Sequence, residues 1–301
     1  MQQTLLISAL VLALAACGPS EQAAAPATAT APVVEPTPAQ VAPPVQAAVS
    51  NAPLELSAIL SGAHRTPENQ ARDKYRHPNE TLSFFGVQAS NTVLEITPGG
   101  GWYAEILAPL LKDGGRYIAA LNDPALASSD RAKEYVTKQN DALAAKFAGA
   151  PDHYSKAETV LFDGKMANFG PAGSADVVLT FRNAHNWIGQ GSADSMFKGA
   201  YEVLKPGGVL GVTDHRAAEG TAFNAESGYV TEADIIKLAE TAGFKLEAKS
   251  EVNANPKDTR DHESGVWTLP PSLALKDKDR EKYLAIGESD RMTLKFLKPA
   301  Q

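Results

Sequence analysis

From residue 92 onward, short apolar runs alternate with longer stretches whose apolar residues recur at helical spacing. Runs such as 92–96 and 176–181 predict buried strands, whereas 130–148 predicts a long helix. Strands that alternate with helices in this way build a mostly parallel sheet with helices on both faces. The pattern predicts seven strands, at residues 92–96, 116–121, 159–162, 176–181, 209–213, 244–251 and 291–297.

Capping signals predict where several helices begin. Thr66 precedes Pro67, and Thr231 precedes the acidic first turn Glu232–Asp234, both of which are typical of helix N-termini. The predicted helices lie at residues 54–60, 67–74, 102–112, 130–148, 195–204 and 231–242.

The beginning of the chain has the pattern of an export signal. Residues 5–16 form an apolar run that is too short to span a bilayer and has the length of a signal-peptide core. The run ends in Leu14-Ala15-Ala16-Cys17, which resembles the lipobox of bacterial lipoproteins. The resemblance implies that residues 1–17 are a signal peptide with its lipobox and that Cys17 carries acyl chains. Gly18 after the cysteine implies a periplasmic, lipid-anchored protein of the outer membrane.

Charge and composition divide the rest of the chain at Pro53. Residues 18–53 are rich in Ala and Pro and carry only two charges, Glu21 and Glu35, which predicts a disordered tether. Residues 54–301 carry an excess of acidic over basic residues, so they lack the basic face typical of nucleic-acid binding. They contain no cysteine, which excludes disulfides, thiolate zinc sites and a cysteine nucleophile from this domain.

A glycine-rich turn, Thr97-Pro98-Gly99-Gly100-Gly101, follows the first strand directly. Such a turn lets a ligand approach the backbone, and the helix that follows offers free N–H groups. By spacing alone, Gly99, Gly101 and Ala104 also satisfy the dinucleotide-binding fingerprint. The turn therefore predicts a ligand site without choosing the ligand.

Other segments accompany this turn: Glu95 before it, the element Lys205-Pro206-Gly207-Gly208, and the phrases RHPNETLSFFGV, GGGWYAEILAP, FRNAHNW and SDRMTLKFLKP. Together they resemble class I S-adenosylmethionine-dependent methyltransferases, and especially bacterial exported lipoprotein methyltransferases. The resemblance covers about residues 79–298. It implies a Rossmann-like α/β fold with a seven-stranded, mostly parallel sheet of order 3-2-1-4-5-7-6, in which strand 7 is antiparallel.

The same resemblance implies S-adenosylmethionine as the cofactor. Thr97 departs from the family, because it stands where the family has its first glycine and its β-branched side chain disfavours unusual φ. The cofactor-binding residues implied are Glu95, Gly99, Gly100 and Gly101 for the methionine end, Asn122 or Asp123 for the ribose, Asp163 for the adenine amine, and Asn183 for the floor of the site.

Polar clusters follow the first, fourth and fifth strands, at the edge where open α/β sheets bind ligands. Methyl transfer requires a nucleophile held in line with the methyl group, and a general base where the acceptor must lose a proton. We expect His185 to be this base, with Asp214 or His215 as the next choices. Tyr103 or Trp187 is expected to face the cationic sulfonium.

Each of these residues also has a purely structural interpretation. His185 could hydrogen-bond a neighbouring loop, and Asp214, His215 and Arg216 could form a local ion-pair network. A metal site of His185, Asp214 and His215 is conceivable, but the six histidines show no short ligand spacing, so no metal is expected. The insertion at residues 252–288 is either a surface loop or, as Trp267 favours, a lid over the acceptor.

The sequence thus predicts S-adenosylmethionine-dependent methyl transfer to a small-molecule acceptor by a lipid-anchored envelope protein. Asn183 lies outside the Asn-Pro-Pro-aromatic pattern of nucleic-acid amino-methylating enzymes, which favours a small acceptor. Because this cofactor is made in the cytosol, the alternative is a non-catalytic ligand-binding envelope lipoprotein on the same scaffold. A nucleotide-dependent oxidoreductase is the third hypothesis.

Overall fold

The computed structural model describes residues 54–300, so that Cys17, the predicted signal peptide and the predicted tether lie outside the described residues. Seven strands form one sheet of order β3-β2-β1-β4-β5-β7-β6. The strands are β1 Thr92–Ile96, β2 Arg116–Asn122, β3 Glu158–Phe162, β4 Ala175–Phe181, β5 Leu204–His215, β6 Lys245–Ser250 and β7 Arg291–Leu297.

The pairing of the strands confirms the predicted topology. Strands β3, β2, β1, β4 and β5 are parallel to one another, and β7 runs antiparallel between β5 and β6. The carboxyl ends of β1, β2, β4 and β5 therefore meet at one edge of the sheet, where ligands bind in folds of this kind.

Short helices precede the sheet, and longer ones connect its strands. None of those in residues 54–300 is long and apolar enough to span a membrane. The α-helices are α1 Ser57–Leu60, α2 Pro67–Gln70, α3 Asp73–Arg76, α4 Pro78–Phe84, α5 Ala104–Leu111, α6 Asp130–Gly149, α7 Pro151–Tyr154, α8 Ala184–Gly189, α9 Ala193–Val203, α10 Glu232–Thr241 and α11 Arg280–Ile286, and the 3₁₀-helices are Pro124–Leu126 and Gly265–Thr268.

The core has two layers because side chains alternate between the faces of a buried strand. Val93 of β1 packs on one face with Leu107 of α5. Leu94 packs on the other face with Phe197 of α9 and Ile235 of α10. This two-sided burial explains why β1 and β4 are apolar almost throughout, as the sequence pattern predicted.

The first helices differ from the prediction. Instead of one helix at 67–74, the chain forms α2 and α3, which are separated by Ala71 and Arg72. His77 then adopts a left-handed backbone with φ 40° and ends α3. Pro78 begins the unpredicted helix α4 at the position where its missing N–H costs nothing.

Candidate functional site

The turn after β1 has an unusual backbone. Thr97 and Gly99 adopt left-handed φ values of 51° and 57°. The position at which the resemblance expects glycine thus keeps a glycine-like backbone although it holds a threonine. The side-chain amide of Asn183 donates to the main-chain oxygens of Ile96 at 3.0 Å and of Thr97 at 3.3 Å, and these bonds hold the strained turn.

The three glycines of the turn have different roles. A Cβ built on Gly99 or Gly100 would meet no atom within 4 Å, so both face open space. A Cβ on Gly101 would lie 2.7 Å from Leu143 Cδ1, at a φ of 76°. Gly101 therefore permits close packing of α6, whereas Gly99 and Gly100 leave room for a ligand.

Two cavities adjoin the turn and share Thr97, Pro98, Gly99, Arg182 and Asn183 as wall residues. The larger cavity has a volume of about 460 Å³, which lies in the usual range for small-molecule sites. The smaller cavity has a volume of about 170 Å³. The larger cavity is also lined by Asn122, Tyr135, Gln139, His185, Trp187, His215, Trp267, Pro270, Glu288 and Ser289, and the smaller one by Asn69, Arg72, Arg76, Glu95, Gly100, Trp102, Tyr103 and Phe181.

Glu95 gives the smaller cavity a buried carboxyl group. It accepts a hydrogen bond of 2.6 Å from the hydroxyl of Tyr117, and burial raises the pKa of Glu95 to about 7. Desolvation disfavours the charged form, so a cation delivered by a ligand would favour ionisation of this carboxyl.

Tyr103 is on the wall of the smaller cavity rather than beside the histidines. Its ring stacks on Phe181 with centroids 3.5 Å apart. Burial raises the pKa of Tyr103 to about 12, so its hydroxyl stays protonated at neutral pH. The candidate bases His185 and His215 line the larger cavity, so Tyr103 lies on a different wall from them.

An arginine cluster, formed by Arg72, Arg76, Arg182 and Arg291, lies beside the two cavities around one carboxylate, Glu288. Three of these arginines contact it, with distances to its oxygens of 2.6 Å from Arg72 Nε, 3.3 Å from Arg76 Nε and 3.1 Å from Arg291 Nη1. Burial alone would raise the pKa of Glu288, but the nearby guanidinium groups lower it to about 2.

The cluster has more donors than acceptors. One buried nitrogen of each arginine has no hydrogen-bond partner among the described residues: Nη2 of Arg72, Nη2 of Arg76, Nε of Arg182 and Nε of Arg291. Arg182 stands at the end of β4 with a left-handed φ of 62°. Burial lowers the pKa of Arg182 to about 10. Buried donors without partners are costly, so their presence here points to a ligand.

His185 and Asp214 form a buried hydrogen-bonded pair. Nδ1 of His185 lies 2.7 Å from Oδ1 of Asp214, and the carboxylate also accepts the main-chain N–H groups of His185 at 3.1 Å and His215 at 2.8 Å. Because an ionised carboxylate only accepts, Nδ1 carries the proton and Nε2 bears the lone pair. No described residue hydrogen-bonds Nε2, and His185 lines the larger cavity.

His215 lines the same cavity in a neutral state. Its Nδ1 lies 2.5 Å from Oγ of Ser289. Burial, together with the positive charges of Arg182, Arg291 and Arg76 and the proximity of His185, holds the pKa of His215 well below its ordinary value.

The two histidines and Asp214 are close enough to invite comparison with a metal site, because one ligand atom of each lies within 4.8 Å of the others. Both oxygens of Asp214 already accept hydrogen bonds, however. The neighbouring arginines would also repel a cation. The geometry therefore favours a histidine oriented by a carboxylate over a metal centre.

The predicted ribose and adenine residues are only partly brought to the cavities. Asn122 lines the larger cavity. Asp123 instead accepts the N–H of Ala125 at 2.8 Å, and Asp163 accepts that of Lys165 at 2.8 Å. Neither aspartate lines either cavity. Of the two alternatives for the ribose, the structure thus places Asn122 at the site.

Two wall residues, Arg72 and Arg76, carry no role in the sequence interpretation. Arg76 appears there only as the first residue of the phrase RHPNETLSFFGV, and Glu288, which both contact, is more than 200 residues away. Trp267 of the insertion lines the larger cavity, with its ring centroid 6.3 Å from that of His185. Part of the insertion therefore forms a wall of this cavity.

Comparisons with known proteins identify the fold. No family model matches the chain, and no curated protein matches its sequence. Among solved structures, the chain is similar to the [4+2]-cyclase SpnF, at 17% identity over 80% of this chain and 86% of that one, with a TM-score of 0.51. A candidate sarcosine dimethylglycine methyltransferase from Galdieria sulphuraria gives 16% identity over 78% and 87%, also with a TM-score of 0.51. A methyltransferase from Aquifex aeolicus gives 15% identity over 76% and 93%, with a TM-score of 0.48.

The order of the strands in the sheet decides which fold these similarities indicate. The order and the antiparallel seventh strand are both those expected for class I methyltransferases. The chain has the Rossmann-like class I methyltransferase fold. SpnF, which is a cyclase, shows that this fold alone does not fix the reaction.

S-adenosylmethionine fits the residues at the two cavities. The methionine end of this cofactor carries an ammonium and a carboxylate, and the smaller cavity offers a buried carboxyl, Glu95, together with the unpartnered Nη2 atoms of Arg72 and Arg76. Gly99 leaves space at the junction of the two cavities, and Asn122 lines the larger one.

Proposed function

We propose that residues 54–301 are an S-adenosylmethionine-dependent methyltransferase that acts on a small-molecule acceptor. The observation that carries this proposal is the pair of His185 and Asp214 on a cavity that shares its wall with the glycine turn. A base beside a cofactor cradle is the minimal equipment for methyl transfer to a group that must lose a proton.

His185 is proposed as the general base. Asp214 fixes the ring by accepting from Nδ1 and stabilises the imidazolium that forms when Nε2 takes a proton from the acceptor. Such a base contributes about 10²- to 10⁴-fold to the rate. His215, with its lowered pKa, stays neutral and offers Nε2 as a further hydrogen-bonding atom for the acceptor.

Glu95, Arg72 and Arg76 are proposed to hold the methionine end of the cofactor, and Asn122 the ribose. When bound, S-adenosylmethionine would supply a methyl carbon on a sulfonium sulfur: the acceptor atom would bond to this carbon in line as the carbon–sulfur bond breaks, with S-adenosylhomocysteine as the leaving group. Trp187 and Trp267 narrow the larger cavity and exclude water from the acceptor.

Calorimetric titration of the purified full chain with S-adenosylmethionine, S-adenosylhomocysteine and NAD tests the cofactor assignment. We expect both sulfur ligands to bind and NAD not to bind. NAD binding without the sulfur ligands would favour an oxidoreductase.

Formation of S-adenosylhomocysteine across a panel of small phenols, amines and thiols then tests turnover. Binding without turnover on the whole panel would favour a ligand-binding protein. Gly99→Val should abolish cofactor binding, because it fills open space at a left-handed φ.

We also propose that the protein is exported and anchored in the cell envelope through acylated Cys17. Several acyl chains on one residue give stable membrane attachment. Metabolic labelling with a radioactive fatty acid, followed by membrane fractionation, tests this. Wild type should be labelled and sediment with membranes, whereas Cys17→Ser should lose the label. Labelling of Cys17→Ser would contradict the proposal.

A further inference from the structure

The arginine cluster has more positive charge than the proposed cofactor can balance. Three arginines, Arg72, Arg76 and Arg182, line the cavities, together with two carboxyl groups, Glu95 and Glu288. Behind the walls, Arg291 and Asp214 have opposite charges. Even with every carboxyl ionised, the described charged groups at the site leave one excess positive charge.

The proposed cofactor increases this imbalance. S-adenosylmethionine carries an ammonium, a sulfonium and one carboxylate, so that its net charge is positive. Binding it in a largely buried site leaves two excess positive charges near the acceptor. Uncompensated charge in a site removed from water is strongly unfavourable, so a further anion is needed.

Arg182 is the cluster member best placed to meet that anion. Unlike Arg72, Arg76 and Arg291, its guanidinium makes no hydrogen bond to Glu288, and its buried Nε has no partner among the described residues. Arg182 lines both cavities, whereas Arg72 and Arg76 line only the smaller one. It therefore reaches the larger cavity, where His185 and His215 lie.

We infer that the acceptor of the proposed methyltransferase is an anion, a carboxylate or a phosphate ester, whose charged group is bound by Arg182 while its nucleophilic atom faces His185. The inference rests on the proposed function for the identity of the second ligand. A planar guanidinium binds either oxyanion through two parallel hydrogen bonds. A neutral analogue would leave these donors unpaired and would be rejected.

Calorimetry with simple probes tests the inference on the full chain. The chain is first saturated with sinefungin, which carries a cationic amine in place of the sulfonium methyl, or with neutral S-adenosylhomocysteine. Benzoate, benzamide and inorganic phosphate are then titrated. We expect benzoate or phosphate to bind at least about tenfold more tightly than benzamide. We also expect this oxyanion to bind the sinefungin complex more tightly than the S-adenosylhomocysteine complex. Benzoate binding indicates a carboxylate acceptor, and phosphate binding a phosphate ester.

Arg182→Gln provides the decisive variant. Lys198→Gln is its control, because Lys198 is exposed and its substitution removes one positive charge away from the cavities. We expect Arg182→Gln to weaken oxyanion binding about tenfold or more while sinefungin affinity changes by less than about threefold. Unchanged oxyanion affinity in Arg182→Gln would overturn the inference. So would loss of sinefungin binding alone, since Arg182 would then hold the cofactor carboxylate. An unfolding curve like that of wild type verifies that the variant folds.

Failure of the proposed function would be recognised separately. If neither nucleoside ligand binds, the oxyanions are titrated into the chain without them. Binding that depends on Arg182 would still support an anion site at the larger cavity. No oxyanion binding under either condition would overturn the inference, whatever the outcome for the cofactor.

Discussion

Two carboxylates that lie two residues apart, Glu288 and Asp290, are the centres of two very different charge clusters. Around Asp290, Arg216 is saturated: its Nε, Nη1 and Nη2 atoms all donate to Asp290, Glu232 or Glu251. These bonds, led by those to Glu251 and Asp290, raise the pKa of Arg216 above its ordinary value. Around Glu288, by contrast, three arginines share one carboxylate, and each of them, like the neighbouring Arg182, leaves a buried nitrogen unpaired.

The difference separates structure from function. Around Asp290, Arg216 has no donor left for a ligand, and Arg260, which also binds Asp290, leaves only its Nε unpaired and lines neither cavity. The unpaired nitrogens of Arg72, Arg76 and Arg182 instead belong to residues that line the two cavities, where we expect a ligand to pair them. Substitutions in both clusters should therefore lower stability, but only those around Glu288 should also change ligand binding.

The largest effect should come from Glu288→Gln. The change leaves the buried guanidinium groups of Arg72, Arg76 and Arg291 without a counter-charge, which costs about 3–5 kcal/mol. Urea unfolding of the full chain, followed by circular dichroism, measures the loss. Stability within about 1 kcal/mol of wild type would mean that the cluster does not depend on Glu288.

Asp290→Asn should have a smaller effect, on stability but not on ligand affinity. Arg216 keeps Glu232 and Glu251 as partners, while the partly exposed Arg260 loses its ion pair with Asp290, so we expect a loss of about 2–3 kcal/mol in unfolding free energy. Affinity for S-adenosylmethionine should not change, because Asp290 lines neither cavity. A tenfold change in that affinity would blur the distinction between the clusters.

Glu95→Gln should stabilise the free protein and impair binding. Burial raises the pKa of Glu95 in the folded protein to about 7, so folding favours the protonated carboxyl. The free energy of unfolding therefore falls as the pH rises from the pKa of an unfolded glutamate to the folded pKa of about 7. Removing the charge should therefore add about 1–2 kcal/mol at pH 7.5. Cofactor affinity should drop about tenfold or more, since the ammonium loses its carboxylate. Unchanged calorimetric affinity would contradict the role of Glu95.

The affinity for S-adenosylmethionine should also depend on pH. A bound ammonium favours the ionised carboxyl of Glu95, so affinity should rise about three- to tenfold from pH 6 to pH 8 and then level off above the free pKa of about 7. Glu95→Gln serves as the control, in which this rise should vanish. A rise that persists in the variant would assign the effect to another group.

The smallest effect should come from an exposed pair outside both clusters. Arg116 and Glu158 form two hydrogen bonds at 2.9 and 2.7 Å, but both side chains are about half exposed. Arg116→Gln should therefore cost less than about 1 kcal/mol. A larger loss of unfolding free energy in urea would show that an exposed ion pair contributes as much to stability as the buried pairs of the two clusters.

The sheet could be predicted from the sequence, but much of the site could not. Apolar runs such as Thr92–Ile96 and Arg291–Leu297 show strand boundaries directly, because buried strands need apolar side chains on both faces. The helix Ala184–Gly189 was missed, since six residues are too few to show a helical repeat and Asn183 makes no capping bond.

The charge imbalance around Glu288 has no local signal. Arg72 and Arg76 reach Glu288 across 216 and 212 residues, and only the fold brings them together. The pairing of His185 with Asp214 was likewise invisible as a contact, although both residues were named as candidates at strand ends. Residue type and position at the sheet edge could be read from the sequence, whereas the identity of the partners required the structure.

Titration of the full chain with S-adenosylmethionine tests the account most directly. The two cavities, the glycine turn, and Glu95 beside the unpartnered Nη2 atoms of Arg72 and Arg76 all lead to this ligand. We predict saturable binding of one molecule per chain, lost in Gly99→Val and retained in Asp290→Asn. The absence of binding by wild-type protein that unfolds cooperatively, or binding that survives Gly99→Val, would contradict the account.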